Sequence, residues 1–224
     1  PMPEALITLT SQAIMEGDVF EPPKPTIDPQ ALKSGEEDEC ENPFYPVSDE
    51  ATWTYVMSSG EEVIHNMAVD SFGNFVIDVM SSSGSTARIE GQCTEEGIVI
   101  MNTAGATTTV SNEEGGSTVS TLGSNGVTLP KDIGIGEQWS QTINASTQLG
   151  NSEIQSDYLA IGFENITVPA GEYYTLKVEQ SGYVSIFSRK VEMHGFIWYA
   201  EGVGVVKSAM EGAPPNELVA YRSE

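Results

Sequence analysis

From residue 40 to its end the chain is a succession of short runs rich in Val, Ile, Thr and aromatic residues, cut at close intervals by Gly-bearing turns. Residues with branched or aromatic side chains fit a pleated surface, and Gly supplies the backbone angles that tight turns need. Candidate strands fall at 52–58, 62–69, 74–80, 86–92, 97–102, 107–111, 118–122, 138–146, 153–163, 173–179, 183–188, 190–199, 203–210 and 217–221. Turn signals separate them at Ser59-Gly60, Phe72-Gly73-Asn74, Ser83-Gly84, Glu114-Gly115-Gly116, Asn125-Gly126, Ala170-Gly171 and Ser181-Gly182. Links this short join antiparallel neighbours. The expected fold is all-β: a large antiparallel curved sheet, a barrel or a sandwich. Trp53 and Tyr55 alternate with Thr52 and Thr54, which makes the aromatic pair the inward face. Phe196 and Trp198 alternate with Ile197 and Tyr199, so that strand is apolar on both faces and must lie between layers or at an interface.

Residues 1–39 read differently and form a second unit beside the β domain of 40–224. With period two, one face of 4–15 carries Ala5, Ile7, Leu9, Ala13 and Met15, broken by Ser11. This is a β-competent segment; a short amphipathic helix is the competing reading, weakened by the β-branched Ile and Thr. Prolines at 22, 23, 25 and 29 then hold the chain extended, and an acidic run, Glu36-Glu-Asp-Glu39, follows. The N-terminal unit is thus an extended strand on a stiff acidic linker.

The charge narrows the partners. With 9 Lys and Arg against 33 Asp and Glu, the net charge is −24. Nucleic acid and anionic membrane surfaces need clustered cations, so neither is an expected partner. The acidity keeps the protein soluble and resists non-specific association. Calcium is left as an unsupported option: carboxylates suit it, but Asp70-Ser-Phe-Gly-Asn74 lacks the spacing and closing Glu of an EF-hand loop. No run approaches the ~20 apolar residues of a membrane-spanning helix.

Cys40 and Cys93 are the 2 cysteines of the chain. Neither lies in a metal-binding pair, and a single disulfide between them is the simplest reading; two separately buried thiols are the alternative. A disulfide implies an oxidising compartment. Because the chain begins at Pro1 with no signal peptide, an exported product whose leader has been removed is expected. Asn144 and Asn165 head sequons that matter only in a glycosylating host.

Four signatures together point to a family: Cys40-Glu-Asn-Pro-Phe-Tyr-Pro-Val47 with Trp53-Thr-Tyr55; Gly136-Glu-Gln-Trp139; Ile166-Thr-Val-Pro-Ala-Gly-Glu-Tyr173 running into Thr175-Leu-Lys-Val178; and Trp198-Tyr-Ala-Glu-Gly-Val-Gly-Val-Val-Lys207 ending in Glu217-Leu218. Over about residues 40–222 the sequence resembles a family of exported, mostly uncharacterised bacterial β-proteins, often lipoproteins. The resemblance implies export and a β fold, and no known reaction. Its motifs are turn and packing patterns rather than chemistry.

Catalytic constellations are weak. No Gly-x-Ser-x-Gly elbow, P-loop or dinucleotide fingerprint is present. His65 and His194 each fall within a strand, where a lone His is more often packed or surface-exposed than a base. Glu172, Glu192 and Glu201 lie near aromatics and are the nearest to a carboxylate pair. We therefore expect no enzyme, no cofactor and no resident metal.

Two functions remain; the first is the expected one and the second its alternative. In the first, the chain is an extracellular structural subunit whose strand 4–15 enters a neighbour's sheet and, passed head to tail, builds a homopolymeric filament. Ala5, Ile7, Leu9, Ala13 and Met15 would then be the subunit-binding residues. In the second, it is an exported module holding an apolar small molecule or lipid inside its sheet, with Gly195–Tyr199 lining the cavity.

Overall fold

The structure, a computed structural model, describes residues 41–70, 73–101, 110–112, 115–117, 119–147, 150–186 and 189–223. Ala5, Ile7, Leu9, Ala13, Met15 and Cys40 lie outside the described residues, as does the whole N-terminal unit. Among the described residues there is no helix, and so none that could cross a membrane.

The strands are β1 (Thr52–Met57), β2 (Glu62–Val69), β3 (Asn74–Ser81), β4 (Thr86–Thr94), β5 (Gly97–Ile100), β6 (Val110–Asn112), β7 (Gly115–Ser117), β8 (Val119–Gly126), β9 (Leu129–Pro130), β10 (Gln138–Thr147), β11 (Gly150–Val168), β12 (Gly171–Ile186), β13 (Arg189–Ala200), β14 (Gly204–Met210) and β15 (Asn216–Arg222). Thirteen of them form one antiparallel sheet in the order β8-β10-β11-β12-β13-β14-β15-β1-β2-β3-β4-β5-β9, and β6-β7 stand apart as a hairpin. Of the three architectures left open by the sequence, the curved sheet is the one adopted. Among the described residues its ladder of main-chain bonds does not close into a barrel.

The two ends of the sheet nevertheless meet. β8 lies at one end and β9 at the other, yet only Val127 and Thr128 separate them in the chain. Side chains bridge the seam instead of a strand ladder. Gln141, on β10 and 3% exposed, donates from Nε2 to the Ile100 carbonyl of β5 (3.0 Å) and to Ser124 Oγ of β8 (3.1 Å). Thr128 Oγ1 donates to Gln141 Oε1 (2.9 Å) and accepts from the Ile100 N–H (2.8 Å). The Trp139 indole donates to the Thr128 carbonyl (3.0 Å). Buried polar groups without partners are costly, so this network both satisfies them and holds the curl.

The long ribbon β11–β12 explains the strand that is apolar on both faces. β12 pairs with β13 only as far as Thr175↔Ala200, while β11 and β12 continue together to Val168↔Gly171. A bulge between Ala160 and Gly162 bends the ribbon, and its tip reaches β15, where the Ala170 N–H donates to the Leu218 carbonyl (2.9 Å). β13 therefore packs on two sides: Tyr199 in the sheet interior, and Trp198 against ribbon residue Glu164, whose Oε1 accepts from its indole (2.6 Å).

One expected turn is overturned. Ser181-Gly182 lies inside the uninterrupted 16-residue strand β12. Gly182 is there because a Cβ would sit 1.9 Å from the Gln155 carbonyl oxygen of β11, at a φ of +148°. A strand-interior Gly that admits a neighbouring backbone has the same local signature as a turn Gly. Asn125-Gly126 likewise belongs to β8 and pairs with β10 rather than forming a free turn. Cys93 is 1% exposed in the core on β4, and its expected partner Cys40 is not among the described residues.

Candidate functional site

The concave side of the curl is not completely filled. β1 turns Trp53, Tyr55 and Met57 inward by alternation, and β2 adds Val63 and His65 from the same face. Ile77 on β3, Ile89 on β4 and Ile100 on β5 continue the wall, Val205, Ser208 and Asn216 come from β14 and β15, and Tyr45 enters from the segment ahead of β1. Together they enclose a cavity of about 290 Å³. No lining side chain carries a formal charge at neutral pH.

Two of the polar tips in this wall are occupied. Trp53 Nε1 donates to the Val203 carbonyl (2.6 Å) and the Tyr55 hydroxyl to the Val205 carbonyl (2.9 Å), which presents the ring faces and not the polar atoms. His65 sits with its ring 5.0 Å from that of Tyr55, at an interplanar angle of 60°. Its flanking residues in the sheet are Trp53 and Val79, and no ring nitrogen of His65 is bonded to a described residue. Burial pushes its pKa down to about 4, so the ring is neutral at pH 7. Tyr45 and Tyr55 are pushed upward by the same desolvation and stay protonated.

A second cluster lies on the opposite face, where His194, Phe196 and Trp198 follow each other along β13. Lys177 stands 4.9 Å from the Phe196 ring centre and 5.1 Å from that of Trp198, and 3.3 Å from Glu164. Lys207 lies 5.7 Å from the Trp198 ring and pairs with Glu217 at 2.7 Å. His194 contacts Glu179 (2.8 Å) and Glu211 (3.0 Å), and the hydrogen bond to Glu179, followed by that to Glu211, raises its pKa. Lys177 and Lys207 each have a carboxylate partner and His194 has two, so the cations over this aromatic ladder are held by neighbouring acids.

Glu172, Glu192 and Glu201 are not brought together. Glu172 faces Thr167 at the ribbon tip, Glu192 faces Tyr183 toward the far end of β13, and Glu201 lies in the β13–β14 turn; all three are exposed. Among the described residues no group of three or more His, Cys, Asp or Glu is placed to hold a metal ion. The strand Gly195–Tyr199 does not line the cavity: β1–β5 and β14–β15 do. Sequence reasoning took His65 as a lone strand histidine. The signal it passed over is that His65 shares its face with Val63 and Met67, an apolar setting. Asn144 and Asn165 are both exposed, on β10 and β11.

A single antiparallel sheet rolled on itself, with a cavity in the curl and side chains bridging its seam, defines the class: an all-β protein built on one curled sheet. The model of the DUF3108-like family matches residues 85–211, more than half of the chain, and the chain belongs to that family. Two solved structures share the fold. One, described as an exported protein with a YmcC-like fold from Bacteroides fragilis, is 13% identical with a TM-score of 0.57, over 80% of this chain and 99% of the other. The second, described as a lipoprotein from Parabacteroides distasonis, is 15% identical with a TM-score of 0.53, over 83% of this chain and 100% of the other. No curated protein matches the sequence.

Proposed function

We propose that the chain is an exported, non-catalytic binding module that holds an apolar small molecule or a lipid chain in the curl of its sheet. The observation that carries this is the cavity of about 290 Å³, walled by three Ile, two Val, Met and aromatic faces with no formal charge. A site of that size lies near the low end of small-molecule pockets, ~300–1,000 Å³. Export agrees with the descriptions of the two structural neighbours. The Cys40–Cys93 disulfide belongs to the same reading, since it would tie the first residue of the β domain to the buried Cys93 of β4.

The test is a titration with the neutral fluorophore N-phenyl-1-naphthylamine, whose emission rises in apolar surroundings. Val63→Trp fills the cavity from β2 and is expected to weaken binding by about tenfold or more, the scale of removing one well-buried contact, while the thermal midpoint stays close to that of the parent. Unchanged affinity in Val63→Trp, or no emission change in the parent, would reject the cavity as the site.

One observation favours the second reading, the filament subunit. Among the described residues β8 pairs on one side only, with β10, and it carries Leu122, which is 62% exposed. An edge strand with an apolar side chain is a template for an incoming strand. In this reading the 4–15 segment of a neighbouring copy, through Ala5, Ile7, Leu9, Ala13 and Met15, adds to that edge. Negative-stain microscopy of the full chain should show filaments that disappear when residues 1–16 are deleted. Filaments that survive the deletion, or single particles in both samples, exclude strand exchange.

A further inference from the structure

The cavity's wall has one feature that an apolar container does not need. A half-buried imidazole, that of His65, stands in it with neither ring nitrogen bonded to a described residue, while the indole of Trp53 and the hydroxyl of Tyr55 are both committed to backbone carbonyls. A ring nitrogen that opens onto the cavity and has no protein partner is free to give or take a hydrogen bond there. We propose that His65 reads the polar end of the ligand, and that the cavity selects an apolar chain or ring system ending in one uncharged hydrogen-bonding group, such as a hydroxyl, over the corresponding carboxylate. This rests on the binding-module reading above and specifies the chemistry of the same site.

Charge decides between the two head groups. An anion brought into this cavity would meet no Lys or Arg, because none lines it. Its counter-charge would have to come from His65 taking up a proton, and the apolar neighbours Trp53, Val79 and Tyr55 oppose that. Among the described residues that line the cavity, the other titratable groups are the phenols of Tyr45 and Tyr55, both kept protonated by desolvation. At longer range the net charge of −24 repels anions as they approach. A hydroxyl avoids all three penalties. It donates to the imidazole lone pair or accepts from its N–H without changing the charge of the pocket. Ser208 and Asn216 form a cross-strand pair in the same wall and add neutral polar groups only.

The same geometry makes binding proton-sensitive, with a definite sign. The neutral imidazole is the form that binds, so affinity for the alcohol holds near neutral pH and falls as the pH drops toward about 4, where His65 takes up its proton.

The experiment displaces bound N-phenyl-1-naphthylamine from the full chain with 1-decanol and with decanoate, at about pH 7 and in about 0.5 M salt to screen the long-range repulsion. Decanol is expected to displace the probe at a concentration about tenfold lower than decanoate. His65→Leu should weaken decanol by about tenfold, the worth of one buried hydrogen bond, and leave decanoate unchanged. His65→Gln, which keeps a donor and an acceptor, should retain most of the preference and lose the decline toward low pH. Decanoate binding as well as decanol, or decanol binding equally to His65→Leu, overturns the proposal while the probe's sensitivity to Val63→Trp leaves the cavity itself standing. Failure of the probe to bind at all overturns both.

Discussion

Gly91→Ala is expected to destabilise the domain by about 1–3 kcal/mol, the range for forcing extra volume into a packed core. Phe75 on β3 pairs directly with Gly91 on β4, and its ring lies flat across the glycine: a Cβ at position 91 would sit 2.1 Å from Phe75 Cζ and 2.2 Å from Cε2. The ring cannot swing away cheaply, because Phe75 is 0% exposed and its other neighbours include Tyr45, 6.0 Å away centre to centre. The backbone at 91 is ordinary, so the cost is steric alone. That makes the prediction separable by a double mutant. Phe75→Leu alone leaves a hole and costs stability of its own. In the pair Gly91→Ala/Phe75→Leu the new methyl group occupies part of that hole, and the combined loss should be smaller than the sum of the single losses by about 1 kcal/mol or more. Urea unfolding midpoints of the four proteins measure this. Strict additivity would mean that the ring and the glycine are not coupled.

Gln141→Leu should cost about 2–4 kcal/mol, even though Leu is closer to the usual occupant of a buried site. The substitution strips a partner from the Ile100 carbonyl, from Thr128 Oγ1 and from Ser124 Oγ at once, and each orphaned buried group costs about 1–3 kcal/mol before water or rearrangement recovers part of it. The loss should also be local in a way that a general core defect is not. Ile100 and Thr128 sit on the seam, so hydrogen exchange at their amides should accelerate well before that of Met67 on β2, whose N–H donates to the Ala51 carbonyl away from the seam. If Gln141→Leu is as stable as the parent, or if exchange rises evenly over the sheet, the side-chain network is not what holds the curl.

The strands themselves were legible because their cause is local. Alternation of Trp53 and Tyr55 with threonines, and the period of two that sets Val63, His65 and Met67 together, place those residues on one face whatever the rest of the chain does. The same local reading failed where a residue serves a distant one. Gly182 looked like a turn and is a strand position vacated for the Gln155 backbone. Leu129–Pro130 is too short to show any period, and it exists as a strand only because Gly97 and Ile98 pair with it. Gln141 reads as an ordinary polar residue in a strand, and nothing near it in sequence announces that it spans three strands. His65 was seen, but its surroundings were not.

The sequence by itself determined that this chain is an acidic, antiparallel β-protein with Trp53 and Tyr55 turned inward, because strand period, turn chemistry and charge are properties of neighbouring residues. Only the tertiary structure decided that the sheet rolls up into one curl, that its seam is held by Gln141 and Thr128, and that His65 faces an uncharged cavity. Those features join positions far apart in the chain: the indole of Trp53 is fixed by the carbonyl of Val203, 150 residues away. Which distant strand faces which is set by the packing of the whole sheet, and no window of sequence contains it.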